Sequence, residues 1–175
     1  MSEGPSVAMG RPVTSRLTRA GTPAACAAAV LAFAYAAVSL YWTMGGRLLL
    51  ETVGRTAVEV ARGGGMPAVL LGLTATVLKV VAGLLALALV RRWGRAVPRS
   101  WLLICLAAAS AVLTGYGGLI VAAGALALSG TVHTGGADLR ALRWHVAVWD
   151  MWFLLWGLPL ATATVAHWRQ TRAIA

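Results

Sequence analysis

The sequence predicts an all-α integral membrane protein, an up-down bundle of four spanning helices with a short interfacial helix between the first and second spans. Three observations carry this expectation. Hydrophobic residues make up 59% of the 175 positions and charged residues only 11%, with a mean hydropathy of +0.79, far from the balance of a soluble domain. Four runs, 24–44, 67–90, 101–129 and 144–167, reach the ~20 mostly apolar residues that a spanning helix needs. The linkers between them are short, as antiparallel neighbours require, and basic tails flank the 24–168 membrane domain over 1–23 and 169–175.

The first span is rich in alanine and ends in Tyr41-Trp42, a pair suited to the membrane–water interface. Basic residues followed by such a run resemble a secretory signal. Here the run passes the usual signal length and meets the aromatic pair instead of a small-residue cleavage site, so an uncleaved span is expected. Gly45-Gly46 then stops the helix. Beyond it Arg47, Glu51, Arg55 and Glu59 alternate in sign every four residues, with Arg62 three further on. Each such pair stabilises a helix by ~0.2–0.5 kcal/mol, and the intervening leucines and valines give it an apolar face to lay on the bilayer. Gly63-Gly64-Gly65 ends that helix before Pro67 opens the second span.

Lys79, the chain's one lysine, falls near the middle of the second span. A central lysine costs roughly 2.5–3.5 kcal/mol on insertion scales, so it needs an internal partner or a wet cavity. Asp150, in the last run, is the acid closest to it in depth, which makes a Lys79–Asp150 pair the sharpest expectation. In the third span Ala107, Ala111, Gly115, Gly118, Ala122 and Ala125 recur at steps of three or four, a face expected to pack on a neighbouring helix, with a dimer interface or a substrate groove as the lesser readings. Tyr116, between Gly115 and Gly117, is expected to turn its hydroxyl to an internal partner.

The fourth span separates two faces. His145, Trp149, Trp152 and Trp156 form an aromatic stripe, readable as a lipid-facing or packing surface or as the face for a flat apolar ligand. At ~100° per residue Asp150 points elsewhere, with Gly157 leaving room beside it for another helix. Cys26 and Cys105 fall near the helix ends assigned to the cytoplasm and are expected to be small packing residues rather than a disulfide.

The net charge of +10 would suggest nucleic acid in a soluble protein, but here it follows membrane topology. Nine arginines (Arg11, Arg16, Arg19, Arg91, Arg92, Arg95, Arg99, Arg169, Arg172) fall on one side and five (Arg47, Arg55, Arg62, Arg140, Arg143) on the other. Glu51, Glu59 and Asp138 accompany the smaller group. This bias predicts both termini in the cytoplasm, with membrane lipids, and a second copy or another membrane protein, as partners in place of nucleic acid.

No Ser/His/Asp arrangement, paired carboxylates or metal-ligand spacing appears, so neither catalytic residues, a metal site nor a cofactor is expected. General acid–base chemistry could draw only on Asp150, His145 and Tyr116. The leading expectation is a non-enzymatic protein that binds a lipid, a small apolar molecule or a membrane partner. The alternative is a small proton- or solute-coupled transporter using Lys79 and Asp150.

Two stretches carry a family resemblance: Tyr41-Trp42-Thr43-Met44-Gly45-Gly46-Arg47, a tryptophan followed by paired glycines, and the acid, aromatic and glycine pattern of residues 144–157. The chain resembles domain-of-unknown-function family 3995, small four-helix bacterial membrane proteins. Members often carry a proline after the acid, where this chain has Met151. The resemblance implies a multi-pass membrane protein and Tyr41, Trp42, Gly45 and Gly46 as a family-like motif, and it implies no activity.

Overall fold

The structure, a computed structural model, describes residues 13–53, 58–60, 63–131 and 139–172. Its main elements are α1 (Val13–Thr43), α2 (Gly65–Ala88), α3 (Arg99–Leu128), α4 (Leu139–Trp144), a π-helical turn (His145–Asp150) and α5 (Met151–Arg172). No strand occurs among the described residues. In a bilayer the backbone must satisfy its own hydrogen bonds, which continuous helices do. Four segments, Ala20–Thr43, Gly65–Ala88, Arg99–Leu128 and Leu142–Arg172, are long and apolar enough to cross a membrane, the last running unbroken through α4, the π turn and α5.

Contacts along the helices fix an antiparallel order. Gly72 of α2 meets Thr43 and Gly83 meets Phe33, so α2 runs against α1. Trp149 meets Trp42 at one end of α1, and His167 meets Gly21 near the other, so the last span also runs against α1. Gly124 meets Val146 and Gly157 meets Thr114, which sets α3 against the last span. The spatial order is therefore α2, α1, α5, α3. Buried residues fill 39% and 33% of the most apolar windows of the first and last spans but only 11% and 17% in α2 and α3, which makes α1 and α5 the central pair.

The central helix packs through a seam that repeats every three or four residues: Gly21, Ala25, Ala28, Ala29, Ala32, Tyr35, Ala36 and Ser39. Small side chains let two neighbours approach closely, and in lipid that approach gains dispersion contacts. At the α3–α5 crossing two glycines answer one another. A Cβ on Gly157 would sit 2.7 Å from the Thr114 amide nitrogen, and one on Gly117 would sit 2.7 Å from that of Leu154.

This corrects the expected face of α3. Its buried residues are Leu102, Leu103, Leu106, Ser110, Gly117 and Gly124, whereas Ala107, Ala111, Gly115, Ala122 and Ala125 are exposed and a Cβ on Gly115 would meet nothing within 4 Å. Both faces are apolar, so periodicity did not distinguish them. Gly157 does leave room for another helix, and that helix is α3.

The first connecting segment also departs from expectation. Arg47 and Glu51 do not open a continuous α-helix: Leu49 adopts a left-handed conformation (φ 59°) and a single 3-10 turn spans Leu50–Thr52. Residues 58–60 are helical, while Arg55 and Arg62 of the charge ladder lie outside the described residues, as does Asp138.

Candidate functional site

The Tyr-Trp-x-x-Gly-Gly sequence is a helix stop with a second purpose. Gly46 N–H donates to the Tyr41 carbonyl (2.9 Å) and Gly45 N–H to that of Trp42 (3.0 Å), the paired bonds of a Schellman cap, with Gly45 at φ 91°. The Tyr41 ring lies directly on Gly46, where any side chain would collide with it. Trp42 Nε1 donates to the Leu48 carbonyl (2.9 Å), which turns the chain back over the end of α1.

That returning chain is fastened to the last span by the π turn. His145 Nε2 lies 2.6 Å from the Val53 carbonyl, and Trp149 Nε1 donates to Thr52 Oγ1 (3.0 Å). A carbonyl oxygen only accepts, so Nε2 carries a hydrogen. Nδ1 then faces Asp150 Oδ1 at 3.6 Å, beyond hydrogen-bonding distance. Asp150 itself is buried, at 4% exposure.

The π turn overturns the expected divergence of the aromatic stripe from the acid. In an α-helix residues five apart point ~140° from each other at 3.6 residues per turn. The wider i→i+5 turn stacks them, so His145 and Asp150 become neighbours. The stripe faces protein, the packing surface among the expected readings: Trp149 and Trp156 are each 4% exposed, and Trp149 is covered by Tyr35 and Trp42. Trp152 Nε1 donates to the Leu31 carbonyl of α1 (3.2 Å), whereas Trp156 Nε1 is buried with no hydrogen-bond partner among the described residues.

Lys79 and Asp150 receive different partners in this structure. The Lys79 ammonium sits 4.4 Å from the centroid of the Tyr35 ring and donates to the Ala75 carbonyl (3.4 Å), while Asp150 meets His145. Tyr35 joins the two sides: its ring also contacts Trp149 (6.2 Å), Trp152 (5.7 Å) and Phe153 (5.5 Å). An aromatic face attracts a cation by ~0.5–2 kcal/mol, enough to explain where the lysine stem points. Tyr116 does not enter this cluster. It is 51% exposed, with its ring edge-on to Phe153 at 5.5 Å.

Sequence reasoning missed Tyr35, Thr52 and Val53. Tyr35 had a usable signal as the one aromatic residue on the alanine seam; the other two had none. Among the described residues no three His, Cys, Asp or Glu side chains gather as a metal site would need. Cys26 and Cys105 are free thiols, half-buried on α1 and exposed on α3.

Next to this cluster lies a cavity of about 380 Å³, lined by Trp42, Gly45, Gly46, Arg47, Leu50, Glu51 and Val58. Trp42, edge-on to Trp149 at 5.1 Å, links the two.

Four apolar helices with an aromatic and ionisable cluster buried near one end define a four-span integral membrane protein. The chain belongs to the DUF3995 family, proteins of unknown function, whose family model matches residues 32–160. That match takes in Tyr35, the helix stop, Lys79 and the whole π turn. Neither a curated protein nor a solved structure matches the chain.

Proposed function

We propose that this is a non-enzymatic protein of the cell membrane that binds a lipid or another small amphipathic molecule beneath its first connecting segment, with both termini in the cytoplasm. The cavity there carries the reading: Trp42 and Leu50 offer it apolar surface and Arg47 and Glu51 offer charges of both signs. Binding sites for small molecules combine an apolar lining with a few placed polar groups in this way. The arginine bias toward the end that holds both termini supports the orientation.

The experiment is native mass spectrometry of gently purified protein, with lipid extraction to identify what is released. A single bound species retained by the wild type and lost from Arg47→Gln, at unchanged helix content, is the expected result. An empty wild-type protein would refute the reading.

One observation favours a second reading, a proton-coupled transporter: His145 and the buried Asp150, two groups able to carry a proton, lie 3.6 Å apart at one end of the bundle. It predicts proteoliposome flux abolished by Asp150→Asn, where the binding reading predicts none.

A further inference from the structure

At the opposite end of α2 the chain reverses through a five-residue 3-10 turn, Arg92–Ala96. This turn, with the last residues of α2 and the first of α3, encloses a cavity of about 430 Å³. Arg91, Arg92, Arg95 and Arg99 all line it. The acids among the described residues, Glu51, Glu59 and Asp150, belong to the other end of the bundle, and none pairs with these four guanidinium groups.

The backbone that carries the arginines is held tightly. Gly94 is buried, and any Cβ there would collide with the Ala88 carbonyl. Gly94 N–H donates to Arg91 (3.1 Å) and Val97 N–H to Gly94 (3.2 Å). The turn is thus folded onto the end of α2 as a fixed wall of the cavity. On the other side α3 starts after Pro98 with no side-chain cap, so the positive end of a 30-residue helix adds to the arginine charge. Arg99 stands at the end of the helix dipole that disfavours a cation. Four like charges gathered at such an end are unfavourable until an anion joins them.

We propose that this pocket binds a phosphate group, supplied by the headgroup of an anionic membrane phospholipid. Guanidinium groups grip phosphate oxygens through paired, charge-assisted hydrogen bonds. Basic pockets between spanning helices are a recurrent site for lipid headgroups. Trp93, within the turn, and Trp101, in the first turn of α3, are 50% and 67% exposed and set this end at headgroup depth, which favours the lipid as the source. The proposal is independent of binding beneath the first connecting segment, which involves the other end of the molecule.

The test is native mass spectrometry and thermal melting of the full chain in detergent, titrated separately with phosphatidylglycerol, phosphatidylcholine and inorganic phosphate. Phosphatidylglycerol is expected to form a 1:1 adduct and raise the melting temperature, and the other two are not. Arg91→Gln with Arg95→Gln should weaken the adduct at least about tenfold. Arg169→Gln with Arg172→Gln, which removes the same charge from the same end of the bundle, should leave it intact. Arg91→Lys with Arg95→Lys keeps the charge and removes the fork, so it should also weaken the adduct while the apo melting temperature stays at the wild-type value. Equal losses in the two glutamine variants would reduce the effect to general surface charge and overturn the site. A response to inorganic phosphate equal to that of phosphatidylglycerol would overturn the lipid assignment, and no adduct on the wild type would overturn both.

Discussion

The ionisable side chain beside Asp150 comes from its own helix, His145 at 3.6 Å, and a pair of double-mutant cycles measures their coupling. Between an imidazolium and a carboxylate 3.6 Å apart, the separation of His145 and Asp150, Coulomb's law gives about 5 kcal/mol at an effective dielectric of ~20. Desolvation of both groups removes most of that. Interactions measured inside membrane bundles average ~0.6 kcal/mol and reach ~1.7, so a net coupling in the upper part of that range, about 1–1.7 kcal/mol, is expected. His145→Phe alone strands the buried carboxylate and also loses the bond to Val53, for a total of roughly 3–5 kcal/mol. Asp150→Asn removes the charge at nearly constant size. The Val53 term appears in both arms of the cycle and cancels, which leaves the His145–Asp150 coupling. The parallel cycle of Lys79→Met with Asp150→Asn joins groups that make no direct contact and are linked only through Tyr35, and its coupling should be the smaller of the two. Reversible unfolding in mixed micelles, followed by far-ultraviolet circular dichroism, supplies the free energies. A coupling of about 1–1.7 kcal/mol between Lys79 and Asp150, with none between His145 and Asp150, would refute the reasoning.

Three further outcomes follow from the packing. Gly157→Ala should destabilise the bundle by about 1–3 kcal/mol because its Cβ meets the α3 backbone, whereas Gly115→Ala, open to the surroundings, should be neutral or gain up to ~1 kcal/mol; the same unfolding assay separates them. Tyr35→Leu should cost about 2–4 kcal/mol through three lost ring contacts, and its cycle with Lys79→Met should give a coupling of ~0.5–2 kcal/mol from the lost cation–π contact. In a background with Cys26 and Cys105 replaced by alanine, an impermeant maleimide applied to intact cells should label Ser129→Cys and spare Ala96→Cys, since these exposed positions end opposite turns of the bundle.

The spans were legible in the sequence because lipid imposes length and apolarity directly. The four expected runs and the four observed segments overlap along nearly their whole lengths. The Gly45-Gly46 stop was legible too, because a left-handed cap favours glycine whatever surrounds it. The faces were not. Inside a bilayer both sides of α3 are apolar, so its exposed alanine stripe and its packed face through Leu106, Ser110 and Gly117 read alike. Asp150 was placed away from His145 by helical arithmetic that one π turn suspends, and no residue type in His145–Asp150 announces that turn. Lys79 stood out in the sequence as a charge that needs an interior contact. Its contact proved to be the ring of Tyr35, because a cation in a bundle can be met by an aromatic face as well as by an anion.

Binding beneath the first connecting segment is tested most directly by a crystal structure of the protein grown from a lipidic mesophase. The account predicts non-protein density in the cavity between Trp42, Arg47 and Glu51, with His145 still on the Val53 carbonyl. An empty cavity with the segment lifted from the π turn and Asp150 open to water would contradict it.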